Sequence, residues 1–213
     1  MPETSDPDCS GQAGIGAVLL AAGESTRMGR PKQLLEWAGR PLVQYQVQEL
    51  QATSAQEIVV VLGHEADLLE PLVEQVMKSP RTHAVINPDY RQGKTTSIKT
   101  GLRNLRTAVG GVMLLAVDQP RPRHILQRLI DAHLTDETLV SVPTCGGKHG
   151  HPPLFHASLL GELLSITEER QGIREVIERH RDGLRAVAFD SPLVLTNINT
   201  PDDYRRAREL ADA

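Results

Sequence analysis

The sequence predicts a doubly wound α/β fold, a mostly parallel sheet between helical layers, built as a single domain. Three observations carry this. Short runs of Val, Leu and Ile recur without the polar alternation of a half-exposed strand, so the strands are covered on both faces. Amphipathic helical stretches separate these runs at the spacing of strand–helix–strand units. The 213 residues, 39% hydrophobic and 23% charged, have the size and composition of one domain able to bury a core.

The elements follow in order. Residues 1–14 (MPETSDPDCSGQAG) are small, polar and acidic, with neither Lys nor Arg. They are expected to form a disordered tail rather than a targeting signal. The domain is expected over 15–213, its first strand being GAVLLAA (16–22). A helix over 41–52 opens with Pro41 and places Val43, Val47 and Leu50 on one face. Strand IVVVLG (58–63) comes next, then a helix over 65–78 carrying Pro71, then strand HAVIN (83–87). A helix over 97–109 is expected from Ile98, Leu102, Leu105 and Val109 at helical spacing. Strand VMLLAV (112–117), a helix over 122–134 and strand TLVSVP (138–143) complete this rhythm. It changes at the Gly/Pro/His loop CGGKHGHPPLF (145–155). Helical patterns at 157–166 and 172–182 lead to LRAVAF (184–189) and a closing helix over 201–212. Thr200 is its cap, with Pro201 in the first turn.

Composition removes several function classes. The net charge of -4, from 23 basic and 27 acidic side chains without a basic block, argues against a nucleic-acid partner. No apolar run approaches the roughly 20 residues of a membrane helix, so no membrane partner is expected. Cys9 and Cys145 lie far apart, which fits a reducing cytoplasm better than a disulfide framework. Cys145, His149 and His151 lack a clear fourth ligand, so a zinc site is not expected.

Ligands of open α/β sheets bind beyond the carboxyl ends of the strands. After the first strand stand Leu20, Ala21, Ala22 and Gly23, small enough for backbone amides to approach a base or phosphates. Arg27 and Lys32 bring charge to the same loop, Arg as a fork and Lys as a mobile point charge. By residue type alone the loop is equally a surface turn with solvated cations. No P-loop or dinucleotide glycine motif follows the strand, which disfavours a nicotinamide-dependent oxidoreductase. Asp118 ends the strand 112–117, as a turn residue or as a carboxylate that holds Mg²⁺ beside phosphates. In NPDYRQGKTTSIKTGL (87–102), Gly93 and the hydroxyls of Thr95, Thr96 and Ser97 surround a helix start, either a plain cap or a contact for base or phosphates.

The string Leu20, Ala21, Ala22, Gly23, Ser25, Arg27, Met28, Gly29 and Lys32, followed by Leu34, Leu35, Gly39, Pro41 and Leu42, resembles the signature of the MobA-like nucleotidyltransferases of molybdenum-cofactor synthesis. The resemblance continues through Gly93, Ser97 and Gly101, through Asp118, Gln119 and Pro120, and through Gly150 and Pro152, over roughly 16–208. Residues 87–102 are nearer to the cytidylyl-transferring, MocA-type branch. The resemblance implies a Rossmann-like fold of the nucleotide-diphospho-sugar transferase kind. It implies nucleotide binding by Leu20, Ala21, Ala22, Gly23, Arg27, Lys32, Gly93 and Ser97, with Arg27, Lys32 and Asp118 catalytic. It implies Mg²⁺ on Asp118 and Asn197, and an acceptor site at Gly150, His151 and Pro152. The reaction implied joins a nucleoside monophosphate from CTP, less readily GTP, to the phosphate of molybdopterin or molybdenum cofactor and releases pyrophosphate. A molybdenum hydroxylase is the candidate protein partner.

Two departures bear on these expectations. Asn197 and Asn199 stand where cytidylyl-type members often show Asp, although guanylyl-type members carry Asn there. Glu169 and Arg170 replace the Gly-Asp that precedes the positions of Gly172 and Arg174 in many relatives. Two alternatives therefore stay open: a sugar phosphate or methylerythritol phosphate as acceptor, or a non-catalytic nucleotide-binding factor for molybdoenzyme maturation.

Overall fold

The computed structural model describes residues 13–136 and 138–211. The tail expected over 1–14 thus lies outside the described residues except for its last two, and these are built into the fold. The Gly14 N–H donates to Gln56 Oε1 at 2.8 Å, and its carbonyl accepts from the Gly110 N–H at 2.8 Å.

The chain runs β1 (Ile15–Leu20), β2 (Glu36–Trp37), β3 (Arg40–Pro41), α1 (Leu42–Gln51), β4 (Glu57–Leu62), α2 (Ala66–Glu74) and β5 (Thr82–Ile86). It continues with α3 (Lys94–Arg103), β6 (Gly111–Ala116), α4 (Arg123–Thr135), β7 (Val140–Cys145), β8 (Lys148–His149) and β9 (Leu154–His156). Helices α5 (Leu160–Ser165) and α6 (Ile173–Arg179), strand β10 (Leu184–Ala188) and helix α7 (Pro201–Ala211) complete it. The sheet order is β10-β7-β9-β6-β1-β4-β5, with β8 paired to β7. Strands β4 and β6 flank β1 in parallel, β5 is parallel to β4, and β10 to β7. Only β8 and β9 run antiparallel within this sheet.

Both faces are covered, as the unbroken apolar runs require. Val43, Val47 and Leu50 of α1, Leu69 and Val73 of α2, and Ile125, Leu126, Leu129 and Ile130 of α4 pack on one side. Ile98 and Leu102 of α3, Leu163 of α5 and Val176 of α6 pack on the other. No helix among the described residues is long and apolar enough to cross a membrane.

The strand order creates a switch point. From β1 the chain builds outward through β4 and β5, then returns to lay β6 on the opposite side of β1, with Leu20 in register with Ala116. The crevice at these two carboxyl ends is where open α/β sheets bind ligands.

The structure ends the helix expected over 65–78 at Glu74 and that expected over 172–182 at Arg179, moves both ends of a third helix, and adds a hairpin. The helix expected over 97–109 is α3, which starts at Lys94 and stops at Arg103. The Asn104 amide donates back to the Thr100 carbonyl, and the Glu57 carboxylate draws the Arg106 and Thr107 N–H groups out of any further helix. Leu105 and Val109 keep their apolar contacts from an irregular segment, so the periodicity outlasts the helix. Strands β2 and β3 form a hairpin around Ala38 and Gly39, both with positive φ, as tight hairpin turns require. It seats the buried Trp37 against the rings of Tyr45 and Tyr204.

His133 of α4 is 3% exposed, its Nδ1 is 2.8 Å from Ser141 Oγ, and its Nε2 is buried without a partner. Burial pushes its pKa down to about 4, with His156 and Arg185 adding to the effect. An unfolded His takes up its proton near pH 6.5, so stability is lost as pH falls from there to about 4, by up to about 3 kcal/mol. Thermal unfolding across this window should show wild-type Tm dropping more steeply than that of His133→Gln. Parallel curves would contradict this.

Candidate functional site

The loop after β1 leaves the sheet stepwise. Ala21 still donates to the Val61 carbonyl at 2.9 Å, the Ala22 carbonyl still accepts from the His64 N–H at 3.0 Å, and Gly23 departs. Gln33, 1% exposed, folds the rest inward by donating to the Ala21 and Gly23 carbonyls at 2.8 and 3.0 Å. Ser25 Oγ accepts the Lys32 N–H at 3.0 Å. These bonds aim Lys32 across the crevice, where its Nζ meets Asp118 Oδ2 at 2.9 Å.

Asp118 is held from beneath. Gln46, a fully buried residue of α1, donates to the Gln119 carbonyl at 2.7 Å and accepts the Arg121 N–H at 3.1 Å. The Asp118 carbonyl accepts the Ile198 N–H at 2.8 Å. Arg121 is wholly buried, and its guanidinium donates to the carbonyls of Pro120, His151, Val194 and Thr196 at 2.8–2.9 Å. Burial pushes its pKa down to about 9, opposed by the charge of Asp118, so it stays protonated at neutral pH. One cation thereby ties together the Asp118 turn, the His151 turn and the segment leading to Asn199.

Asn199, rather than Asn197, meets the cations. Its Oδ1 accepts from Lys32 Nζ and from an Arg27 Nη, each at 3.0 Å. Asn197 is exposed and makes no hydrogen bond to either. The Asp203 carboxylate explains the placement, since it accepts the N–H groups of Asn199 and Thr200 at 3.1 and 2.9 Å while Thr200 Oγ1 caps α7. The Lys32 ammonium thus lies between a carboxylate oxygen and an amide oxygen. This all-oxygen pair suits a hard divalent cation that takes its other ligands from phosphate and water. Among the described residues no cluster of three or more His, Cys, Asp or Glu could enclose a metal without such help.

A cleft of about 240 Å³ opens here. Of the residues expected at a nucleotide, Leu20, Ala22, Gly23, Lys32, Gly93 and Ser97 line it, together with Asp118. Ala21 does not: its side chain is 1% exposed in the core, and its backbone is committed to Val61 and Gln33. Arg27 is exposed and joins the site through Asn199. The start of α3 differs from the expected open helix end. Glu168 Oε1 accepts the Thr95 N–H at 2.7 Å, and its side chain occupies the space that a Cβ on Gly93 would take. Gly93, at φ 121°, is the residue that admits this carboxylate. The hydroxyls of Thr96 and Ser97 both accept from Asn87 Nδ2 at 2.9 Å.

On the side expected to meet an acceptor, Gly150 and Pro152 are buried and shape the chain. A Cβ on Gly150 would lie 2.2 Å from the Val194 carbonyl oxygen, so backbone contact alone requires glycine. His151 is half-buried and lies within electrostatic reach of Lys94, Arg121 and Asp118. Burial, then the charges of Lys94 and Arg121, push its pKa down to about 4. At neutral pH it is an uncharged hydrogen-bonding group.

Sequence reasoning missed Gln33, Gln46, Arg121, Lys94 and Glu168, and it named Asn199 only beside Asn197, to which it gave the metal. Two signals were present. Gln46 interrupts the apolar face formed by Val43, Val47 and Leu50, and Lys94 puts a positive charge where the helix dipole is also positive.

Residues 17–184 match the family model of the MobA-like NTP transferase domain. The chain is 27% identical over 199 residues to the molybdenum cofactor cytidylyltransferase of Escherichia coli (strain K12), covering 92% of this chain and 96% of that protein. It is 27% identical over 201 residues to the bifunctional protein GlmU of Corynebacterium diphtheriae, covering 91% of this chain but 41% of that protein. It therefore spans less than half of the GlmU length. Rv0371c from Mycobacterium tuberculosis H37Rv superposes with a TM-score of 0.76 at 27% identity, over 92% of this chain and 98% of that one. The same protein has been solved in complex with manganese, with a TM-score of 0.73.

Replacing Arg121 by Met should strip donors from the Pro120, His151 and Thr196 carbonyls and lower unfolding free energy in urea by about 3 kcal/mol or more. A loss below about 1 kcal/mol would remove Arg121 from its scaffolding role.

Proposed function

The chain belongs to the MobA-like NTP transferase family, and on that premise we propose that it transfers a nucleoside monophosphate from CTP, less readily GTP, to the phosphate of molybdopterin or molybdenum cofactor. The observation that carries the reading is the Lys32 ammonium held between Asp118 and Asn199 at the switch point, with Arg27 on the same amide oxygen. Likeness to the Escherichia coli cytidylyltransferase over nearly the whole of both chains supports the cytidylyl choice.

In this reading an oxygen of the acceptor phosphate attacks the α-phosphorus of the nucleotide in line. A new P–O bond forms as the bond to the bridging oxygen breaks, and pyrophosphate leaves with the electron pair. The acceptor oxygen is already anionic at neutral pH, so no strong general base is needed. Positioning and charge neutralisation do the rest. The small residues Ala22 and Gly23 let the nucleotide lie against the backbone. Lys32 exchanges its bonds to Asp118 and Asn199 for phosphate oxygens, and Arg27 follows from the same amide. Asp118 and Asn199 are then free to hold Mg²⁺, which when bound supplies charge neutralisation and orientation of the triphosphate. His151, neutral, offers a hydrogen bond to the acceptor. A molybdenum hydroxylase is the partner class that would receive the product.

Pyrophosphate release measured with CTP, Mg²⁺ and molybdenum cofactor tests this. Lys32→Ala and Asp118→Asn should each cost roughly 10²-fold or more in turnover. Asn199→Ala should cost about tenfold or more, and Asn197→Ala less than about threefold. Undiminished turnover in the Lys32 or Asp118 variant would contradict the assignment, and a larger loss at Asn197 than at Asn199 would return the metal to Asn197.

A further inference from the structure

Lys94, the first residue of α3, lines the cleft, and among the described residues no hydrogen bond or ion pair reaches its ammonium. Its position is electrostatically unfavourable. A cation at a helix start opposes the macrodipole. Lys94 is exposed as a residue, yet protein atoms around its ammonium, together with the charges of Arg174 and Lys32, hold its pKa below the ordinary lysine value. Asp118 and Glu168 offset this in part, yet each is already engaged, Asp118 with Lys32 at 2.9 Å and Glu168 with the Thr95 N–H at 2.7 Å. Arg174 is exposed, and among the described residues its guanidinium likewise has no hydrogen bond or ion pair. An ammonium in the cleft with no hydrogen-bonded partner, and with Arg174 near enough to repel it, forms a place that gains stability when an anion arrives.

The two cation groups of the site differ in what they hold. Arg27 and Lys32 converge on Asn199, whereas Lys94, on the same cleft, makes no bond to Asn199 and has Glu168, Arg174 and His151 as well as Asp118 and Lys32 for charged or polar neighbours. Both groups adjoin Asp118. In-line displacement at phosphorus places the entering oxygen and the leaving pyrophosphate on opposite faces of the reacting centre. A transferase that joins two phosphate-bearing molecules therefore needs two separate anion seats.

We propose that Lys94, with Arg174 and His151 among its neighbours, is the seat for the acceptor's phosphate monoester, while Arg27 and Lys32 take the departing pyrophosphate. The proposal rests on the nucleotidyl-transfer reading above and assigns Lys94 to the acceptor instead of to the nucleotide. His151 contributes a hydrogen bond there and Lys94 the charge.

Titration of methyl phosphate, followed by ³¹P NMR, tests it on full-length protein loaded with Mg²⁺ and the α,β-methylene analogue of CTP or GTP, whichever binds more tightly. Wild type should bind methyl phosphate, and Lys94→Met should weaken that binding about tenfold or more. Nucleotide-analogue affinity should change less than about twofold in the same variant, and Lys94→Arg should restore most of the methyl phosphate affinity. Methyl phosphate binding that is absent in loaded wild type, or unmoved by Lys94→Met, would overturn the proposal alone. So would a loss that falls on the nucleotide analogue instead. Wild type that takes neither analogue would overturn the nucleotidyl-transfer reading, and the proposal with it.

Discussion

The ion pair between Lys32 and Asp118 closes the crevice between the ends of β1 and β6, and the rest of the site is arranged around it. Its side chains are 10% and 22% exposed, so neither charge is well solvated and each depends on the other. Removing one member of so enclosed a pair strands the other, a loss of about 3–5 kcal/mol where such pairs are fully buried. Replacing both partners at once is a different matter. A triphosphate offers Lys32 more oxygens than Asp118 does, and a divalent cation offers Asp118 more charge than Lys32 does. On the proposed reading the pair is exchanged for nucleotide and metal together, which links binding of the two.

That exchange works only if the surrounding chain does not move, and buried polar side chains keep it still. Gln33 ties the first loop to itself, Gln46 clamps both sides of the Asp118 turn, and Arg121 gathers carbonyls from three segments distant in sequence. Loops at strand ends leave backbone carbonyls that no ladder satisfies, and a buried carbonyl without a donor is costly. These three residues satisfy such carbonyls and fix the geometry of the cations in front of them. The same economy appears at α3, where Glu168 takes an amide that the helix start leaves open.

Much of this was legible beforehand. The apolar runs marked β1, β4, β5, β6 and β7 to within a residue or two, because burial on both faces allows few polar residues. Asp118, Arg27 and Lys32 stood out because charges directly beyond buried strands are few. What could not be read was which side chain satisfies which orphaned carbonyl, since the partners lie tens of residues apart. Asn199 and Asn197 are alike in type and spacing, and only the Asp203 cap decides which one meets Lys32. The end of α3 was hidden because Leu105 and Val109 stay partly buried without being helical. Strand β9 begins at the end of the Gly/Pro/His loop 145–155, and its antiparallel place between β6 and β7 leaves no mark in local periodicity.

The most direct measurement is a crystal structure grown with Mn²⁺ and a non-hydrolysable nucleoside triphosphate, read by the anomalous signal of manganese. The expected result is a manganese peak bonded to Asp118 and Asn199, with Lys32 turned from both onto phosphate oxygens of a nucleotide lying along Ala22 and Gly23. A nucleotide bound elsewhere, or manganese placed away from an intact Lys32–Asp118 pair, would contradict the role given to this crevice.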